Sequence, residues 1–194
     1  MRPLLLVAVS LMLAACVTGA YRPPQVPGEQ PAYAITVEQP QRQVRQRLLT
    51  ALPEAGFVLR SDGDHELVFG FGEWSPARLI DCGRLRVRQP SGSPTFTGDY
   101  VRYALEAQDG KLRGRIVVTL DELGDRRTGV RVRADYRFTA GRPSGRVSEW
   151  RFETGSSDTA LVTDAVRGTP HTRTCVPTHD AERKVLERAR VPAS

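Results

Sequence analysis

Residues 111–139 read KLRGRIVVTLDELGDRRTGVRVRADYRFT. From 129 to 139 the alternation is strict: Arg131, Arg133 and Arg137 interleave with Val130, Val132, Ala134, Tyr136 and Phe138. Successive strand residues point to opposite faces, so a period of two predicts a strand with one wet face and one buried face. Residues 111–123 form the strand before it, and the Gly- and Asp-containing stretch 124–128 turns the chain between them. Strands of this kind belong to antiparallel sheets that cover one face and expose the other.

The same reading extends in both directions. Residues 57–60, 65–71, 78–88 and 100–108 read as strands, and 89–98, rich in Pro, Gly, Ser and Thr, as a loop. Asp109-Gly110 has the chemistry of a hairpin turn into residue 111. Beyond 139, residues 141–146 turn and 147–153 close the meander, whereas 155–174 show no clear period. Residues 34–38 form a short strand. A helix follows Pro40, with Val44, Leu48, Ala51, Leu52 and Ala55 at helical spacing and Gln41, Arg42, Gln43, Arg45, Gln46 and Arg47 on the outer side. Pro53 weakens its last turn and Gly56 serves as its C-cap. Thr178 or Asp180 caps a final helix, with Asp180 and Glu182 favourable in the first turn and Val185, Leu186 and Ala189 as its apolar stripe. The fold class predicted is α+β: an antiparallel β-meander with an N-terminal and a C-terminal helix packed on one face, spanning 34–194 as a single domain. The layout resembles the helix-grip arrangement.

The N-terminus carries an address. Met1-Arg2-Pro3 is a short basic start, 4–13 is apolar but for Ser10, and Leu13-Ala14-Ala15-Cys16 follows. Those are the parts of a secretory signal, and the apolar run is too short to span a bilayer. The last four residues resemble the lipobox of bacterial lipoproteins. The resemblance implies a signal peptide over 1–15, cleavage before Cys16, and acylation of the Cys16 thiol and of the new amine, by palmitate-type chains. Val17 stands where an inner-membrane retention signal has Asp; by the same resemblance the destination is the outer membrane, facing the periplasm. Residues 16–33 hold Pro23, Pro24, Pro27 and Pro31 and read as an extended tether. At ~3 Å per residue it holds the domain several nanometres from its anchor. Lipobox, tether and element order together are similar to the BamC-type lipoproteins of the outer-membrane assembly machinery, a likeness of layout that transfers no functional residue.

After Cys16 only Cys82 and Cys175 remain. In an oxidising compartment two cysteines are most simply a disulfide. The alternative is a tetrahedral metal site of Cys82, His171, Cys175 and His179, although Pro170 and Pro177 argue against the helix that would align the last three.

The formal charge is +6, carried almost wholly by arginine, with Lys111 and Lys184 the only lysines. Arg84, Arg86 and Arg88 alternate with Leu85 and Val87 as the 131–137 arginines do. Arg102, Arg113 and Arg115 are candidate additions. One reading is a solvated face in which Asp135 and Glu106 pair some charges. The other is a basic surface, with Arg84, Arg86, Arg88, Arg131, Arg133, Arg137 and Trp150 as binding residues, for phosphate-bearing lipid or an acidic partner. Like charges opposite each other across strands are destabilising, so adjacent basic strands would call for a reason.

Catalytic sets are missing from the pattern. Gly70-Phe71-Gly72 lacks the spacing of a phosphate loop, and Ser91 and Ser93 have no nucleophile elbow. The expected function is non-catalytic and needs no cofactor or metal: an outer-membrane lipoprotein, anchored in the membrane by its lipid, that binds another cell-envelope protein as an accessory or scaffold. The alternative is a lipid or glycolipid binding module using the sheet groove or the basic face. Nucleic acid is not an expected partner of an exported chain.

Overall fold

A computed structural model describes residues 20–25, 32–71, 74, 76–87, 96–107, 110–140, 148–154, 160–166 and 169–190. Its centre is the hairpin of β8 (Lys111–Glu122) and β9 (Thr128–Ala140), paired in register from Lys111↔Thr139 to Glu122↔Thr128. β4 (Glu66–Phe71) continues the sheet beside β8, and β3 (Phe57–Asp62) beside β4. The far side of β9 is shared end to end. β2 (Ala34–Val37) pairs with residues 128–131, and β10 (Ser148–Glu153) with residues 135–140. Every pairing is antiparallel.

One face of this sheet is apolar and covered. Leu67, Phe69, Ile116, Val118, Leu120, Ala134, Tyr136, Phe138 and Phe152 are all fully buried there. The helices α1 (Gln41–Glu54) and α4 (Asp180–Arg190) pack on that face and against each other. α1 contributes Val44, Leu48 and Leu52; α4 contributes Ala181, Val185, Leu186 and Ala189. Each large side chain removed from water in this way stabilises the fold by about 1.5–3 kcal/mol. The Arg47 guanidinium donates to the Ala189 carbonyl at 2.7 Å, which satisfies the C-terminal end of α4 from α1. Gly56, with φ +89°, ends α1 in the left-handed conformation expected of a C-cap, and the Trp74 indole donates to the Ala55 carbonyl at 2.9 Å. The α+β class, the meander and the two helices on one face are therefore as the sequence predicts.

Three predicted elements are corrected. The 78–88 strand is instead a short helix α2 (Pro76–Leu79), then β5 (Ile80–Asp81), then β6 (Arg84–Val87). Gly83, with φ +79°, breaks the run, and its amide donates to the Asp81 carboxylate at 2.7 Å. The 100–108 strand is a helix, α3 (Tyr100–Ala107). Tyr100, Val101 and Ala104 are its buried face, and Arg102 pairs with Glu106 one turn on at 2.9 Å. Asp109 lies outside the described residues, and Gly110 follows a helix rather than a strand. The Gly110 amide turns back to the Ala104 carbonyl at 3.0 Å, in space that a Cβ would fill at 2.9 Å from that oxygen.

Two small sheets complete the structure. β1 (Ala20–Arg22), inside the predicted tether, pairs with β6, which pairs with β7 (Phe96–Asp99), at the end of the predicted loop. Where the sequence shows no clear period, β11 (Ala160–Val166) pairs antiparallel with β12 (Thr169–Pro177), and β12 pairs with β5. Beside that last pairing, Cys82 and Cys175 form a disulfide between chain positions 93 residues apart. In the chain-entropy account a loop that long is worth about 4–5 kcal/mol.

Candidate functional site

The face of the central sheet opposite the helices carries the charge. Period two places Arg113 and Arg115 of β8, Arg131, Arg133, Asp135 and Arg137 of β9, and Glu149, Arg151 and Glu153 of β10 on it. Register then aligns them. Arg113 stands directly opposite Arg137, and Arg137 directly opposite Arg151, so three guanidinium groups share one row across three strands. One carboxylate interleaves: the Glu149 Oε1 lies 3.4 Å from Arg137 Nε and 3.0 Å from Arg151 Nε. Arg113 has no ion pair among the described residues. The next row, Arg115–Asp135–Glu153, carries one arginine and two carboxylates. Beyond it Arg133 faces Val117, and Arg131 faces Thr119 and pairs with Asp121 at 2.5 Å.

The basic surface extends toward β3. Gly70 is paired with Arg115 across β4 and β8, and the Arg60 side chain lies over it, where a Cβ would sit 2.8 Å from Arg60 Nε. A cleft of about 360 Å³ opens on the same face between Glu66, Val68, Arg115, Val117, Thr119, Arg131 and Arg133. Its floor is β-branched, and around it stand three arginines and the Glu66 carboxylate. Planar guanidinium can bind carboxylate and phosphate in bidentate fashion, so Arg115, Arg131 and Arg133 give the cleft the chemistry to hold an anionic oxygen group.

The predicted binding residues do not form one patch. Arg131, Arg133 and Arg137 lie together on the open face. Arg84 and Arg86 are exposed on β6, in the separate β1–β6–β7 sheet. Arg102 is on α3 and off both sheets. Trp150 is 4% exposed and stacks on Phe138 at 5.1 Å, so it belongs to the core rather than to a binding surface. Cys16 and Arg88 lie outside the described residues. Arg151 and Arg60 are additional members that the sequence reading missed. The alternation of Glu149, Arg151 and Glu153 with Trp150 and Phe152 was the signal for the first, while Arg60 needed the register against Gly70.

A second polar cluster is buried under α4. Glu182, fully buried, accepts from the Tyr136 hydroxyl, from Thr154 Oγ1 at 2.8 Å and from His179 Nδ1 at 3.1 Å. With Nδ1 donating, a neutral ring leaves Nε2 to accept from the Tyr33 hydroxyl at 3.4 Å. Burial alone would push the Glu182 carboxyl up; the His179 and Tyr136 hydrogen bonds outweigh it and hold the group below the usual glutamate value. Burial first, and then the Glu182 charge, push the Tyr136 phenol far above its ordinary range. His179 has φ +56° and gives its carbonyl to the Arg183 amide at 3.1 Å, so it, and not the expected Thr178 or Asp180, is the N-cap residue of α4. The cluster seats the N-terminal end of that helix on β9. Its chemistry is that of a fixed, satisfied carboxylate.

The metal alternative fails at its first ligands, because Cys82 and Cys175 are joined to each other. His171's side chain lies outside the described residues. No protein-family model, curated protein or solved structure matches this chain.

Proposed function

We propose that this chain is a lipid-anchored outer-membrane protein, facing the periplasm, whose non-catalytic domain binds an acidic surface of another cell-envelope protein as an accessory or scaffold component. The open face of the central sheet is the binding surface. The observation that carries the reading is the row Arg113–Arg137–Arg151. Direct opposition of like charges weakens a sheet, and a bound carboxylate-rich surface would relieve it while gaining charge-assisted hydrogen bonds. The lipobox-like Leu13-Ala14-Ala15-Cys16 supports the anchor and the compartment, and the disulfide agrees with an oxidising one.

A second reading, a lipid or glycolipid binding module, is favoured by the cleft around Arg115, Arg131 and Arg133. One experiment separates the two. Photo-crosslinking in living cells from probes at Val117 and Arg133 should yield a discrete protein adduct that disappears in an Arg137→Glu variant. A lipid or glycolipid adduct instead would shift the function to the second reading. Absence of any adduct would refute both.

A further inference from the structure

The tether does not run free of the domain. Its β1 strand is built into the small sheet by contacts specific to these residues. Tyr21 places its hydroxyl beside the disulfide, donating to the Cys82 carbonyl at 3.1 Å and accepting from the Thr174 amide at 3.1 Å. Gly83 makes room for the strand: a Cβ there would lie 2.2 Å from the Arg22 carbonyl oxygen. Cys16 and Ala20 are only four residues apart. Four extended residues reach about 14 Å at most, whereas an undocked chain running from Cys16 to β2 at Ala34 could reach about 60 Å. An acylated Cys16 would therefore hold the edge of the β1–β6–β7 sheet within headgroup distance of the bilayer.

That sheet presents cations. Arg22 is directly opposite Arg84, and Arg86 lies next along the same face, opposite Ala20. All three are exposed, while Leu85 between them is buried. None has an ion pair among the described residues, although Asp99 stands opposite Arg84 in the register. We propose that β1 clamps the domain against the membrane, with Arg22, Arg84 and Arg86 resting on the phosphates of anionic phospholipids. The inference rests on the lipid-anchor part of the proposed function and leaves the open face of the central sheet free for its partner.

The test uses the full-length mature protein, purified from membranes and reconstituted into phosphatidylethanolamine vesicles with or without phosphatidylglycerol. A fluorescent amino acid replaces Thr97, which faces Arg86 on β7, or Thr50 on the exposed side of α1. Headgroup nitroxide lipid should quench the Thr97 probe strongly and the Thr50 probe weakly, more so with phosphatidylglycerol present. Each arginine removed from such a surface weakens its partition to anionic lipid about fivefold, so R22Q/R84Q/R86Q should weaken it about a hundredfold and lose the phosphatidylglycerol-dependent quenching. Should that variant not fold, the same loss should follow from screening the wild-type protein with salt. Tyr21→Ala, which frees β1, should also lose the quenching while the acyl mass is retained. Intact mass on each sample separates the two failures. An N-terminus without acyl chains overturns the anchor and this inference with it. An acylated protein whose Thr97 probe is quenched no more than Thr50, or is insensitive to both salt and the arginine substitutions, overturns the clamp alone.

Discussion

The two faces of β9 are made by alternate residues of one strand, yet they are held to different standards. Inward, Val130, Val132, Ala134, Tyr136 and Phe138 are all buried, and the one polar atom among those side chains, the Tyr136 hydroxyl, finds Glu182. Outward, Arg131 and Arg137 have partial partners and Arg133 has none among the described residues. A buried polar group without a partner costs far more than an exposed one, because water satisfies the exposed group. The inner face is thus determined by folding, while the outer face is free to carry charge that folding does not need.

The largest break in that comparison should come from the inner side. Phe138→Ala removes a fully buried ring that stacks on Trp150, and urea unfolding should show a loss of about 3–5 kcal/mol. A loss below 1 kcal/mol would mean that this part of the core is not packed as described.

The buried carboxylate comes next. Glu182→Gln keeps the shape but cannot accept from three donors as a carboxylate does, so a loss of about 1–3 kcal/mol is expected at neutral pH. The folded carboxyl titrates below its unfolded counterpart, whose ordinary value is 4.5. Its contribution is therefore complete above that value and declines as the pH falls through the folded one. In thermal melts between pH 7 and pH 3 the gap between wild type and Glu182→Gln should narrow toward the acid end. A constant gap across that range would contradict a depressed Glu182.

The smallest effect belongs to the outer face. Arg113→Gln removes one member of the arginine row, and stability should stay level or rise by about 0.2–1 kcal/mol, with crosslinking to the partner weakened. A loss of more than 1 kcal/mol on this substitution would show that the row supports the fold itself, and would remove the argument for a partner.

The legible elements were those with a long, clean period. The β8–β9 hairpin has twelve and thirteen residues with one buried face, and only a sheet satisfies that alternation. α1 and α4 followed from apolar residues three and four apart. α3 was misread because Tyr100, Val101, Tyr103 and Leu105 also suit a strand by residue type, and the helical cue was the Arg102/Glu106 spacing. The β11–β12 pair contains Pro170 and Pro177, which interrupt strand patterns and hid it. β1 looked like tether because three residues carry no period; its place depends on Gly83, far along the chain, leaving room for the Arg22 carbonyl.

By itself, then, the sequence determined the α+β class and the two unlike faces of the main sheet, because periodicity is a local property. It left Cys82 and Cys175 as a disulfide or as metal ligands, and only their meeting in the fold decided for the disulfide. Tertiary structure alone decided which arginines are neighbours. It divided the stripes between two sheets, set Arg113, Arg137 and Arg151 in one row, and drew Tyr33, Tyr136, Thr154, His179 and Glu182 into one cluster. Register and long-range packing are set by how whole elements bury their apolar faces together, and no short stretch of chain encodes that.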